Sequence, residues 1–216
     1  VKNFLVLLLL LPLFCNSQKN SFFKEEVLGI SKKYDTLWNS SRETIVFTGS
    51  SSIRLWRNLQ DLFPEHQIVN SGFGGSQAID LLGYTDDLIL RFKPKKVFIY
   101  EGDNDISSKK RPNKILKVFS KIIAKIKTDN KATKIVLISP KPSIARQKLQ
   151  HKYIRLNRKL KRFCESNENI EYANVWDIMF DSDKKLKTNL FISDGLHMNE
   201  GGYELWHSII KNYMDN

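Results

Sequence analysis

The sequence predicts an α/β protein whose parallel sheet is covered by helices on both faces. Two observations predict it. Short runs such as "TIVFTG", "KVFIYEG" and "KIVLIS" are almost continuously apolar, which suits strands buried on both sides rather than strands with one wet face. Stretches of helical period separate these runs, as the crossovers of a parallel sheet require.

The elements follow in order. Phe23, Val27, Ile30, Tyr34 and Trp38 recur at three- and four-residue spacing and predict a helix over 21–38. β-rich runs lie at 44–49, 67–72, 96–102, 134–139 and 170–176, and helical patterns at 77–92, 113–128, 145–166 and 200–214. The expected architecture is a three-layer α/β/α sandwich around a central, mostly parallel five-stranded sheet. The 216 residues, 41% hydrophobic and 27% charged, suffice for one well-buried core. No internal repeat or low-complexity linker divides them, so residues 19–216 read as a single domain.

The first eighteen residues, "VKNFLVLLLLLPLFCNSQ", differ in character. One early lysine precedes an apolar run from Phe4 to Phe14 that is too short to span a bilayer. Cys15 and Ser17 then occupy the −3 and −1 positions of a cleavage site. Residues 1–18 are expected to be a secretory signal, which predicts a periplasmic or extracellular protein. An uncleaved anchor and lipidation of Cys15 are the alternatives, and the bulky Phe14 speaks against lipidation. Once the leader is removed, Cys164 is the only cysteine; there is no internal disulfide, and a helical context marks it as a small buried hydrophobe. A net charge of +12 favours acidic partners, whether polysaccharide, anionic lipid or nucleic acid. Interleaved aromatics and a recognition motif for nucleic acid are missing.

Open parallel sheets carry their functional groups in loops beyond the carboxyl ends of the strands. After the first strand stands Gly49-Ser50-Ser51-Ser52, and after the second "NSGFGGSQ" with Gly72, Gly74 and Gly75. "EGDND" with Asn104 follows the third, and "SDGLHMNEGG" with Asp194 and His197 lies beyond the fifth. Singly, each reads as turn chemistry. Together they supply a hydroxyl nucleophile, an imidazole base, a carboxylate to orient it and donors for an oxyanion, the parts of an acyl-transfer site.

In order and spacing these four blocks resemble the SGNH hydrolases, the GDSL esterase/lipase family, named for Ser, Gly, Asn and His in four separated blocks. "GDND" and "DGLHMN" carry the specific part of the resemblance, which covers nearly the whole chain after the leader. It implies a flavodoxin-like SGNH fold and a serine carboxylic-ester hydrolase without cofactor. It implies Ser51 as nucleophile, His197 as base and Asp194 as its orienter, and an oxyanion hole from Ser51, Gly75 and Asn104. The family's Gly-Asp-Ser aligns with Gly49-Ser50-Ser51, so Ser50 stands where Asp is usual. That departure leaves Ser50 and Ser52 as alternatives for the nucleophile, and Gly74 is the alternative to Gly75.

His66, His151 and His207 lack a carboxylate at comparable spacing and read as structural. No clustered His/Cys set offers metal ligands. Arg54 and Arg146, the latter in the loop after the fourth strand, are expected to touch substrate. On the helix over 145–166, Leu149, Tyr153, Leu156, Leu160 and Phe163 share one face, with lysines and arginines elsewhere, a solvated face that could also meet a polyanion. No long acyl channel or interfacial lid is legible, so short-chain, acetyl-type esters, on carbohydrates among others, are the expected substrates. Lysophospholipase or thioesterase activity is the enzymatic alternative, and a non-catalytic glycan-binding protein on the same scaffold the other.

Overall fold

The computed structural model describes residues 21–215, so the leader expected at 1–18 lies outside the described residues. Helix α1 (Lys24–Leu37) turns Val27 and Tyr34 inward, as their spacing predicts. Strands β1 (Thr44–Gly49), β2 (Gln67–Gly72), β3 (Lys96–Tyr100), β4 (Lys134–Ile138) and β5 (Ile170–Ala173) form one sheet in the order β2-β1-β3-β4-β5. Every neighbouring pair is parallel, so the sheet, expected to be mostly parallel, is wholly so. Helix α2 (Ser51–Arg54) follows β1, and α3 (Ala78–Gly83) and α4 (Thr85–Leu88) follow β2. After β3 come α5 (Asp103–Ser107) and α6 (Pro112–Asp129), after β4 α7 (Gln150–Glu165), and α8 (Glu200–Ile210) lies near the C-terminus.

Strand periodicity assigns alternate residues to two cores. Val46, Val97, Ile99, Ile135 and Leu137 meet side chains of α1, α3, α4, α6 and α7 on one face. Ile45, Phe47, Phe98, Tyr100, Val136 and Ile138 meet Trp56 and the Tyr203, Trp206 and Ile210 face of α8 on the other. Burial on both faces is why these strands read as continuous apolar runs. The strand order reverses between β1 and β3, and the loops diverging there open a crevice at their carboxyl ends.

Several boundaries depart from the sequence reading, and three of them have a local cause or bear on the site. The helix expected over 77–92 breaks into α3, α4 and a 3-10 turn at Leu90–Phe92. Thr85 Oγ1 donates to the carbonyls of Leu81 and Leu82 at 2.9 and 3.1 Å, competing with the backbone ladder just after Gly83. The fourth helix begins at Gln150 rather than 145, which leaves Arg146 on a loop. Strand β5 stops at Ala173 because Asn174 Oδ1 accepts from the N–H groups of Trp176 and Asp177 and turns the chain. Among the described residues no helix is long and apolar enough to cross a membrane.

Candidate active site

The stretch Gly49-Ser50-Ser51-Ser52 ends β1 in a sharp turn into α2. A Cβ at Gly49 would stand 1.9 Å from the Tyr100 carbonyl oxygen, and its φ of +124° also requires glycine. Three adjacent hydroxyls leave this turn in different directions. Ser50 Oγ accepts from Asn104 Nδ2 at 2.7 Å. Ser52 is buried beside Tyr100. Ser51, half-buried at the first position of α2, has its Oγ 3.0 Å from His197 Nε2. Geometry thus separates three serines that composition could not.

His197 and Asp194 share a short loop before α8. His197 Nδ1 lies 2.6 Å from Asp194 Oδ2, while Asp194 Oδ1 accepts from the backbone N–H groups of Leu196 and His197 at 2.8 and 2.9 Å. The imidazole contact and these N–H groups hold the Asp194 carboxyl down at about 2. A carboxylate on Nδ1 requires the proton there, so Nε2 presents its lone pair to the Ser51 hydroxyl.

Asn104, on the first turn of α5, is tied on every side. Its Nδ2 donates to Ser50 Oγ and to the Ser76 carbonyl at 2.9 Å, and its Oδ1 accepts from Arg146 Nη2 at 2.9 Å. The two amide bonds reach the residue before Ser51 and the residue after Gly75, which sets the amide between those backbone segments. Gly75 has φ +78°, and its N–H has no partner among the described residues; the N–H of Gly74 donates to Glu26 Oε1 at 3.0 Å. The N–H of Ser51, at a helix start, is also without a partner among the described residues.

Beneath Asn104 lies Asp103, which is buried. It accepts from Tyr153 Oη at 2.6 Å, from Tyr100 Oη at 3.1 Å and from Arg146 Nη1 at 2.5 Å. Burial alone would raise its carboxyl, but Lys141 and Arg146 outweigh that and hold it below its ordinary value. Lys141, also buried, donates to the carbonyl of Leu196, next to His197, at 2.5 Å, and its own pKa is lowered by desolvation. The Asp103 cluster therefore braces both Asn104 and the histidine loop.

A second buried acid supports the glycine turn. Glu101 is fully buried, and burial, with Asp105 nearby, pushes its carboxyl well above the usual range. Its Oε1 lies 2.6 Å from Ser76 Oγ, which also lies 3.1 Å from the Phe73 carbonyl. One hydroxyl hydrogen cannot serve two acceptors fully. A neutral Glu101 donating to Ser76, with Ser76 donating to Phe73, satisfies both contacts.

The two arginines expected to touch substrate each hold a carboxylate of the chain. Arg54 pairs with Glu26 at 3.4 Å and packs over Gly74, outside two clefts, one of about 440 Å³ lined by Arg146 and one of about 540 Å³ lined by His197. Arg146 lines the first of these clefts and directs Nη1 to Asp103 and Nη2 to Asn104. Sequence reading missed Glu26, Glu101, Asp103, Lys141 and Tyr153. The only local signals were the first aspartate of "GDND" and a lysine between two prolines after β4. Of the other histidines, His66 lies 3.4 Å from Asp215 and His207 packs edge-on against Phe63. Among the described residues no group of three His, Cys, Asp or Glu side chains could hold a metal.

A model of the GDSL-like Lipase/Acylhydrolase family matches residues 41–205, a span that includes all four blocks. The chain belongs to this family. Solved structures resemble this GDSL-like acylhydrolase over most of its length. A Streptococcus pneumoniae protein provisionally described as a platelet activating factor is 27% identical, covering 89% of this chain and 94% of its own, with a TM-score of 0.77. A GDSL-like lipase from Bacteroides thetaiotaomicron is 20% identical over 85% and 96%, TM-score 0.71. An acetyl-xylooligosaccharide esterase from Geobacillus, a mutant form, is 18% identical over 81% and 94%, TM-score 0.67. No curated protein matches the chain. Membership makes the chain an acylhydrolase of the esterase class, on an α/β SGNH-like fold.

Proposed function

We propose that this acylhydrolase is a serine esterase that removes short, acetyl-type acyl groups from carbohydrate hydroxyls. The observation that carries the catalytic part is the unbroken relay Ser51–His197–Asp194, at 3.0 and 2.6 Å. Ser51 Oγ attacks the ester carbonyl carbon as its proton passes to His197 Nε2. The carbonyl oxygen becomes an oxyanion held by the N–H groups of Ser51 and Gly75 and by Asn104 Nδ2, whose hydrogen is withdrawn from Ser50 Oγ. The C–O bond to the alcohol then breaks, and His197 returns its proton to the departing oxygen. Water, deprotonated by His197, attacks the acyl-Ser51; the bond from the acyl carbon to Ser51 Oγ breaks, His197 returns the proton to that oxygen, and the carboxylic acid leaves. Asp194 fixes the imidazole tautomer and offsets its transient charge.

The acetyl and carbohydrate preference draws on the absence of a long acyl channel in the sequence and on the likeness to an acetyl-xylooligosaccharide esterase. A groove of about 540 Å³ beside His197, with Leu55, Leu62, Ile192 and Met198 on its walls, favours a second reading, hydrolysis of longer acyl chains. Turnover of p-nitrophenyl acetate and octanoate by wild type and Ser51→Ala decides. Faster acetate hydrolysis that vanishes in the variant is expected. Octanoate preference would shift the reading to longer chains, and equal rates in wild type and variant would sink it. The proposal also holds that the chain is exported, residues 1–18 being the leader. Exported protein should begin near Gln18 or Lys19, and retention of the apolar run Phe4 to Phe14 would refute cleavage.

A further inference from the structure

A second cleft, of about 440 Å³, shares no lining residue with the apolar groove. It adjoins the reacting groups at two points. Arg146 lines it and donates to Asn104, and Ile144 lines it against Gly195, two residues before His197. A group attached to an ester at Ser51 could therefore extend into it.

We infer that this cleft is a subsite for a saccharide carrying a carboxylate, the alcohol part of the ester. Ser143, on its wall, is only 4% exposed, and its Oγ has no partner among the described residues. Leaving a buried hydroxyl unpaired is unfavourable, a loss that a ligand hydroxyl would repair. The side-chain amides of Gln147 and Gln150 also line the cleft without partners among the described residues, and add donors and acceptors in the mixture a sugar presents. Trp176 and Phe180, with ring centroids 5.6 Å apart, form an apolar wall for the C–H face of a sugar ring. Ligand sites commonly join such an apolar wall to a few convergent polar groups.

Charge selects among sugars. Lys184 and Lys185 stand exposed on the rim, and no carboxylate is among the lining residues, whereas the groove beside His197 is lined by Glu200 and Glu204. Asp183 lies 3.8 Å from Lys185 with both side chains exposed, a weak pairing, and Asp181 is committed to the backbone N–H groups of Asp183 and Lys185. Arg146 is neutralised by Asp103. The two lysines are thus left to meet an anionic group of the ligand. A fatty chain would leave Ser143, Gln147 and Gln150 unsatisfied.

The catalytic consequence rests on the esterase reading, but binding does not, and the test separates them. Unesterified trigalacturonate and neutral xylotriose are titrated calorimetrically into Ser51→Ala protein, and into the same protein carrying Lys184→Glu and Lys185→Glu. Trigalacturonate should bind about tenfold more tightly than xylotriose and lose about that margin in the reversed-charge protein. Ser143→Val should weaken both sugars. Equal binding of the two, no binding of either, or affinity for trigalacturonate untouched by charge reversal would overturn the subsite. Displacement of trigalacturonate by a lysophospholipid but not by excess galacturonate would do the same. Wild-type protein inert on p-nitrophenyl acetate that still binds trigalacturonate would sink the esterase reading alone.

Discussion

The two sides of the site are built on opposite plans. On the Asn104 side, Asp103, Arg146, Tyr153 and Lys141 are largely buried; Arg146 and Tyr153 bond to Asp103, the charge of Lys141 helps hold its carboxyl down, and the amide is held from every direction. On the His197 side, Asp194 is 42% exposed and the imidazole 25% exposed, and the carboxylate is held by groups of its own four-residue loop. The difference follows from what each side does in the proposed reaction. A donor to developing charge is useful only if it is already in place, because reorienting it at the moment of reaction would cost the stabilisation it provides. A group that moves protons to a leaving alcohol and from water must remain open to both. The two plans meet at Lys141, whose bond to the Leu196 carbonyl braces the open loop from the buried side.

Mutation can break this contrast in graded steps. The largest loss is expected on the open side. His197→Ala should lower kcat by about 10⁵- to 10⁶-fold, and Asp194→Asn by about 10³- to 10⁴-fold with folding intact. Stopped assays with p-nitrophenyl acetate and circular dichroism check both; wild-type rates in His197→Ala would remove it as the base. Asp194, held at about 2, stays ionised across the working range, so the acid limb of the rate profile should be the same whichever acyl group is used and should not titrate near 2.

The closed side should respond in two currencies. Asn104→Ala should cost about 10²- to 10³-fold in kcat with a smaller change in KM, because its bond strengthens in the transition state. Arg146→Met should cost about 3 kcal/mol of unfolding free energy by leaving Asp103 without its guanidinium, with only a modest loss in kcat. A denaturation midpoint unchanged in Arg146→Met would show that the buried cluster is not what holds Asn104.

The smallest effect concerns Glu101. Its carboxyl is raised by burial, so the folded chain keeps a proton that the unfolded chain releases above its ordinary pKa of about 4.3. Stability from this group is therefore present at low pH and lost as pH climbs from that value toward the folded one. Asp105, also raised by burial, contributes a slope of the same sign, and Asp103, lowered, one of the opposite sign. Glu101→Gln keeps a neutral hydrogen-bonding side chain and should match wild type near pH 4 yet melt higher at pH 8. An identical Tm difference at both values would mean that folding does not raise the Glu101 carboxyl.

Much of this was legible in the residues. The runs "TIVFTG" and "QIVNSG" mark β1 and β2 to the residue, because strands buried on both faces leave a continuous apolar signature. The Asp194–His197 pairing was readable for a similar reason, since partners three residues apart on one loop share local geometry. The 77–92 break was not, because it depends on where the Thr85 hydroxyl finds a carbonyl. The bond from Arg146 to Asp103 is not legible either, because the two stand 43 residues apart.

The chain's own pattern of apolar runs, glycines and strand-end polar groups determined the layered α/β architecture, the loops that carry the chemistry and the pairing within the histidine loop. Only tertiary structure decided which of three consecutive serines meets the imidazole, which glycine keeps its N–H open, and that Asp103, Lys141 and Glu101 sit under the site. The physical reason is range. Periodicity and turn chemistry act between near neighbours, whereas hydrogen-bond partners and the desolvation of a buried charge are set by elements that the chain brings together only when the sheet closes.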